Sequence, residues 1–256
     1  MNKKGSIGIV GGMGPLAGLD LSRSIIENTM AHTDQEHIPQ ILFSLSNSIA
    51  DRSEFLQGIA DTNPGYQIAA IVAELEKAGC TIAAVACNTA HADSIFSIVT
   101  NQIKKKKLQI RLLHMVEETA LYIKKNYPQV KKAGILGTNG TVLFKIYNFL
   151  SNSGIEAIYP GNELQKKVHE AIYHPYYGLK ASTIGESRKA KNILQKTSDQ
   201  LIDRQAELLV LACTELPIVF SKPFYNTVPV INPSEILARA LIREHSPKKL
   251  TAKSVN

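Results

Sequence analysis

Cysteine is scarce in this chain of 256 residues, and the three present, Cys80, Cys87 and Cys213, follow no disulfide or zinc-ribbon spacing. An odd number cannot all pair within one chain, so the thiols read as free, in a reducing compartment. Long apolar runs are also missing. None approaches membrane-spanning length, and the opening MNKKGSIGIVGG lacks the apolar core and cleavage site of a signal peptide, so the expectation is a soluble, cytoplasmic protein with no membrane partner. Aromatic residues make up only 6%, and none interleaves the short lysine runs at 104–107 and 248–253. The net charge of +7 therefore marks a solvated surface that mildly attracts acidic metabolites, not a nucleic-acid site. Histidines are too scattered for a metal cluster. With 44% hydrophobic and 20% charged residues, the chain has the make-up of one large or two modest globular α/β domains.

What is present is organised around Thr81 to His91, TIAAVACNTAH. Its apolar half reads as a strand buried on both faces in the middle of a parallel sheet. Cys87 stands at the C-terminal end, followed by Asn88 and Thr89 as helix caps and by Ala90 and His91 as the start of a helix. That edge of an open α/β sheet is where ligands bind, since free backbone N–H groups and a helix dipole favour an anion there. Leu208 to Pro217, LLVLACTELP, repeats the design with Cys213, Thr214 and Glu215. Two strand-end cysteines in matching contexts suggest thiols facing one substrate from opposite sides. Cys80, just before the central strand, reads as core.

Elsewhere the chain alternates strands and helices. Ser6 to Val10 leads into Gly11-Gly12-Met13-Gly14-Pro15 and a helix. Gly12, Gly14 and Ala17 match G-x-G-x-x-A, but the next strand ends in Ser46-Asn47-Ser48 where a ribose-binding acid is wanted. We read the loop as a tight turn that lets substrate approach the backbone. Arg52 follows the second strand, on the same edge as Cys87, where it can hold a carboxylate bidentately or simply form a surface ion pair. From Lys131 the pattern restarts: AGILGTNGT at Ala133 to Thr141 echoes Ile7 to Gly12, and Ile135 lies nearly as far before Cys213 as Ile7 lies before Cys87. Two similar flavodoxin-like α/β domains with parallel sheets are expected, related by a pseudo-twofold repeat with the active site in the cleft between them. The boundaries are 1–115 and 116–220, with 221–256 packing back onto the first. A strand over Pro229 to Asn232, a helix over Ser234 to Glu244 and a frayed tail from Ser246 finish the chain.

GGMGPLA at Gly11 to Ala17, DQEH at Asp34 to His37, ACNTAH at Ala86 to His91, EETA at Glu117 to Ala120, GLKA at Gly178 to Ala181 and ACTELP at Ala212 to Pro217 together span nearly the whole chain. In this combination the chain resembles the aspartate/glutamate racemase family, and within it the aspartate racemase and broader amino-acid racemase branch. Glutamate racemases proper are less similar: they have an Asp-Ser pair in the first loop and histidine where this chain has Glu215. The resemblance implies racemisation without a cofactor or metal, one group removing the α-proton from one face while another returns a proton to the other face. It makes Cys87 and Cys213 the catalytic pair, Cys87 serving the D-enantiomer and Cys213 the L-enantiomer, with helix N–H groups favouring the thiolate partner. Asn88, Thr89 and Thr214, with Gly12, Met13, Thr138 and Thr141, would hold the α-carboxylate and amine. Arg52 and Lys180 would hold a distal carboxylate, which points to a small acidic amino acid as partner, aspartate ahead of glutamate. A homodimer is the expected assembly.

His91 and Glu215 are candidates to assist the thiols, with capping or core packing as their alternative roles. His169, Tyr173 and His174 precede Lys180 in what reads as a substrate loop. Two other functions stay open. One is a different two-cysteine isomerase of the same superfamily, a hydantoin racemase or maleate isomerase. The other is an amino-acid-binding protein that exchanges no proton.

Overall fold

Apolar strands alternating with amphipathic helices build two parallel sheets. In the computed structural model, which describes residues 5–181 and 187–252, the first run is β1 (Ser6–Gly11), α1 (Pro15–Glu27), β2 (Gln40–Ser44), α2 (Arg52–Leu56), α3 (Gly65–Lys77), β3 (Cys80–Val85), α4 (Asp93–Lys105), β4 (Arg111–Leu113) and α5 (Met115–Asn126). The second run is β5 (Lys132–Gly137), α6 (Asn139–Leu143), β6 (Glu156–Ile158), α7 (Asn162–Tyr173), α8 (Arg188–Asp203), β7 (Leu208–Ala212), β8 (Phe224–Tyr225), β9 (Val228–Ile231) and α9 (Pro233–His245).

The first sheet has the order β2-β1-β3-β4 and the second β6-β5-β7-β9-β8. In chain order the first is 2-1-3-4 and the second 2-1-3-5-4, so each begins 2-1-3 and continues with one more parallel strand, the antiparallel β8 being added at the edge of the second. All pairings are parallel except β8 with β9. The repeat read from the sequence is thus present as topology. β3 and β7 lie inside their sheets, which is why both read as near-continuous apolar runs, and every residue of β7 is buried.

The chain divides into two compact units. One takes the residues through Ala50, Asn63–Glu118 and those from Ser234 on; the other takes Asp51–Thr62 and Thr119–Pro233. Ile7, Ile9, Leu21, Ile25, Ile82 and Ala84 pack with Leu237, Leu241 and Ile242 of α9 in the first core. Leu136, Val168, Ile172, Leu194, Leu209 and Leu211 form much of the second. The return to the first unit begins at Ser234 and not at 221, because β9 pairs with β7 and β8 with β9. The tail also differs from expectation. Met30 N donates to Lys249 O at 2.7 Å and Thr251 N to Asn28 O at 3.0 Å, while Arg239 on α9 donates to Asn28 Oδ1 and Thr251 O. These bonds tie the chain down through Thr251, and 253–256 lie outside the described residues. No helix among the described residues is long and apolar enough to cross a membrane.

Candidate active site

β3 ends because the chain turns at Cys87, whose N–H donates back to Val85 O at 2.9 Å. Cys87 is buried, as are Asn88, Thr89 and His91. The expected helix start is absent. Thr89–His91 is a three-residue 3-10 turn without a side-chain cap, and α4 begins only at Asp93. Asn88 and Thr89 therefore cap neither this turn nor α4 through their side chains. His91 does the ordering. Its Nε2 accepts from Met115 N at 3.2 Å, so the neutral ring carries its proton on Nδ1, which donates to Cys87 O at 2.8 Å. The ring stacks on Phe96 with centroids 5.0 Å apart and meets the edge of His114 at 4.6 Å. Burial, then the neighbouring His114, lowers His91 to about 3. Burial likewise lowers His114 to about 4, against the pull of Asp93. Both rings are neutral, and His91 straps the end of β3 to the start of α5.

The end of β7 is held by charges. Cys213, buried like its counterpart, donates from Sγ to Glu215 Oε2 at 2.9 Å, and Thr214 Oγ1 donates to the same oxygen at 3.1 Å. Lys180 Nζ lies 2.6 Å from Glu215 Oε1. Glu215 caps nothing: the Leu216–Ile218 turn has no side-chain cap. Burial favours a neutral Glu215, but the Lys180 charge and the hydrogen bonds from Cys213, Lys180 and Thr214 hold it below the ordinary carboxylate range. Burial works against Lys180 as well, yet Glu215 keeps its ammonium above the usual value. Cys213 is pushed well up by burial and then by Glu215, with Lys180 pulling the other way. In this arrangement Cys213 rests as a thiol.

The network continues inside the second unit. Lys180 Nζ lies 5.4 Å from the centre of the Tyr173 ring, and Tyr173 Oη donates to Asp51 Oδ2 at 3.3 Å. Asp51 Oδ1 caps α2 by accepting from Ser53 N and Glu54 N at 2.7 and 2.9 Å. Arg52 opens that helix, buried, 3.9 Å from Asp51 Oδ2. The sequence placed Arg52 beside the Cys87 strand end; the structure counts it with the second unit, on the side of Tyr173 and Lys180. His169 and Tyr173 lie on α7 and not in a loop, stacked at 4.7 Å. Leu179 N and Lys180 N donate to Ala171 O and Ile172 O at 2.9 Å each, so GLKA closes α7 and fixes the root of Lys180. Any Cβ at Gly178 would sit 2.5 Å from His174 N, which explains that glycine.

Of the other expected residues, Gly12 has φ +89, and a Cβ there would meet Leu45 N and Ser46 N at 2.9 Å. Close approach of the chain to itself requires this glycine. Met13 beside it is buried. Thr138 Oγ1 accepts from Thr141 N at 3.4 Å at the start of α6, and Thr141 Oγ1 donates to Ala212 O at 3.4 Å, one residue before Cys213. Cys80 is a buried part of β3 with its thiol pushed up by burial, as expected of core. Among the described residues no group of His, Cys, Asp and Glu could hold a metal. Asp51 and His114 were missed as hubs. Asp51 carried a signal, an acid two residues before Ser53 at a helix start, whereas the contact of His114 with His91 is visible only in space.

Residues 10–241 match the Asp/Glu/hydantoin racemase family. The chain belongs to this family, a membership that implies isomerase chemistry. It is 27% identical to the broad specificity amino-acid racemase RacX of Bacillus subtilis over 246 residues, 92% of this chain and 96% of that one. Among solved structures, the Picrophilus torridus aspartate racemase superposes with a TM-score of 0.78 at 30% identity, covering 96% of each chain. A glutamate racemase from Francisella tularensis, in complex with D-glutamate, shares the fold at 18% identity, with a TM-score of 0.65 over 98% of this chain and 85% of that one.

Proposed function

We propose that this protein is a cofactor-independent amino-acid racemase that interconverts L- and D-aspartate, and glutamate less well, using Cys87 and Cys213. The observation that carries this reading is the equivalence of the two cysteines, each at the C-terminal end of the inner strand β3 or β7 in sheets that both begin 2-1-3 in chain order. In each turnover one thiolate takes the α-proton as the C–H bond breaks, and the opposite thiol gives its proton to the other face of the carbanion. The next turnover in the reverse direction restores both sulfurs. The resting Cys213 thiol, hydrogen-bonded to Glu215, is suited to giving the proton first. Acidic substrates are favoured by Arg52 and Lys180, since a charge-assisted hydrogen bond from either contributes roughly 1.5–3 kcal/mol.

One observation favours a second reading, a broad-specificity racemase. Lys180 is already paired with Glu215, and Arg52 has Asp51 as its neighbour, so these two cations face two acids. The test is an enantiomer-exchange screen by chiral chromatography in deuterated water, after dialysis against chelator. Aspartate should exchange fastest, with one deuterium entering at Cα. Equal rates on neutral amino acids would favour broad specificity, and substrate bound without deuterium uptake would leave a binding protein.

A further inference from the structure

Lys180 has two claims on it. Its ammonium is the expected partner of a substrate's distal carboxylate, yet it lies 2.6 Å from Glu215 Oε1 while the other oxygen of Glu215 accepts from Cys213 Sγ at 2.9 Å. We propose that Lys180 is a positioning residue for Cys213, holding the Glu215 carboxylate that orients the thiol, and so supports proton transfer on every substrate, neutral ones included. This deepens the racemase reading and rests on it for the word substrate; the contacts themselves do not.

The geometry carries the argument. Glu215 is buried, and a buried carboxylate is tolerated only with a charge partner and hydrogen bonds on both oxygens. Lys180 supplies the first on Oε1, and Cys213 and Thr214 satisfy Oε2. Lys180 is itself fixed at its root by the bond from its N–H to Ile172 O. The other charged or titratable groups nearby are occupied differently. Tyr173 and His169, both on α7, stack on one another, and Tyr173 donates to Asp51. Asp51 caps α2 and has Arg52 as its ionic neighbour. Lys180 and Glu215 are thus the charged pair joined to this sulfur by hydrogen bonds. Removing Lys180 leaves a buried negative charge against the thiol, which disfavours the thiolate.

The experiment follows Cys213 directly. In a Cys80→Ala/Cys87→Ala background, cysteine labelled with 13C at Cβ gives one NMR signal whose shift tracks thiol ionisation against pH. Lys180→Met should move the Cys213 midpoint upward by about one unit or more. Adding Glu215→Gln should bring it back down, and Lys180→Arg should stay near the starting value. Folding is checked in the same samples by circular dichroism. In the intact protein, Lys180→Met should lower kcat/KM by about tenfold or more on a neutral amino acid as well as on aspartate. A midpoint unmoved by Lys180→Met, or moved but not reversed by Glu215→Gln, overturns the proposal, as does a loss confined to aspartate. Wild-type protein that exchanges no α-proton sinks the racemase reading alone, because the titration needs no substrate.

Discussion

At the end of β3, Cys87 is ordered by neutral groups: a histidine that bonds its carbonyl, a phenylalanine stacked on that ring and a second histidine meeting it edge-on. At the end of β7, Cys213 is ordered by a carboxylate, an ammonium and a threonine hydroxyl. The sheets share the order of their first three strands, and a short 3-10 turn follows each cysteine. Matching backbones have thus been given different electrostatics. The first end is supported by rings that burial keeps neutral, while the second is tuned by a charge pair. At the second end, burial and the Glu215 carboxylate keep the proton on Cys213.

The largest effect should come from the sulfurs. Cys87→Ala and Cys213→Ala should each lower racemisation in both directions by at least about a thousandfold, because one missing proton carrier halts the cycle. Progress curves from each pure enantiomer measure this. If Cys213→Ala retains substantial turnover, the two ends are not partners and the comparison breaks. Next comes Arg52→Met, expected to lower kcat/KM on aspartate by about tenfold to a hundredfold, the range of one charge-assisted hydrogen bond. Neutral substrates should hardly respond, in contrast to the effect expected of Lys180→Met. Equal losses on both substrates would remove the distinction between the two cations.

The neutral support at the first end can be probed through stability. His91→Ala removes a buried ring and leaves Cys87 O and Met115 N without it, at a cost of roughly 2–4 kcal/mol in urea denaturation. Its pH dependence follows from the lowered values. An exposed histidine takes a proton near 6.5, whereas His114 and His91 stay neutral down to about 4 and about 3 when folded. The unfolded chain therefore binds more protons in acid. The stability these rings contribute is complete above about pH 6.5 and falls as pH drops toward those values, by up to about 1.4 kcal/mol per pH unit for each ring. His91→Phe should shallow this slope between pH 6.5 and 4; an unchanged slope would mean that His91 is charged in the folded protein. Smallest of all, Cys80→Ala should cost about 1 kcal/mol of stability and leave racemisation rates unaltered.

Much of this was legible in the chain itself. Unbroken apolar runs at Ile82–Ala86 and Leu208–Ala212 can only be inner strands of a parallel sheet, and the echo of the first half in the second announced the shared topology. The spacing of apolar residues is a local property, so residue order alone carries it. The motifs around Cys87 and Cys213 likewise pointed to the family. What tertiary structure decided was who touches whom. Glu215 looked equally like a helix cap, and only the return of GLKA along the end of α7 puts Lys180 on its carboxylate. His91 looked like the start of a helix, but Met115 N, distant in the chain, determines which of its nitrogens carries the proton. Arg52 follows the first sheet's second strand and yet belongs with the second unit. Hydrogen bonds and ion pairs depend on distances of a few ångströms between residues far apart in sequence, and such distances exist only once the chain has folded.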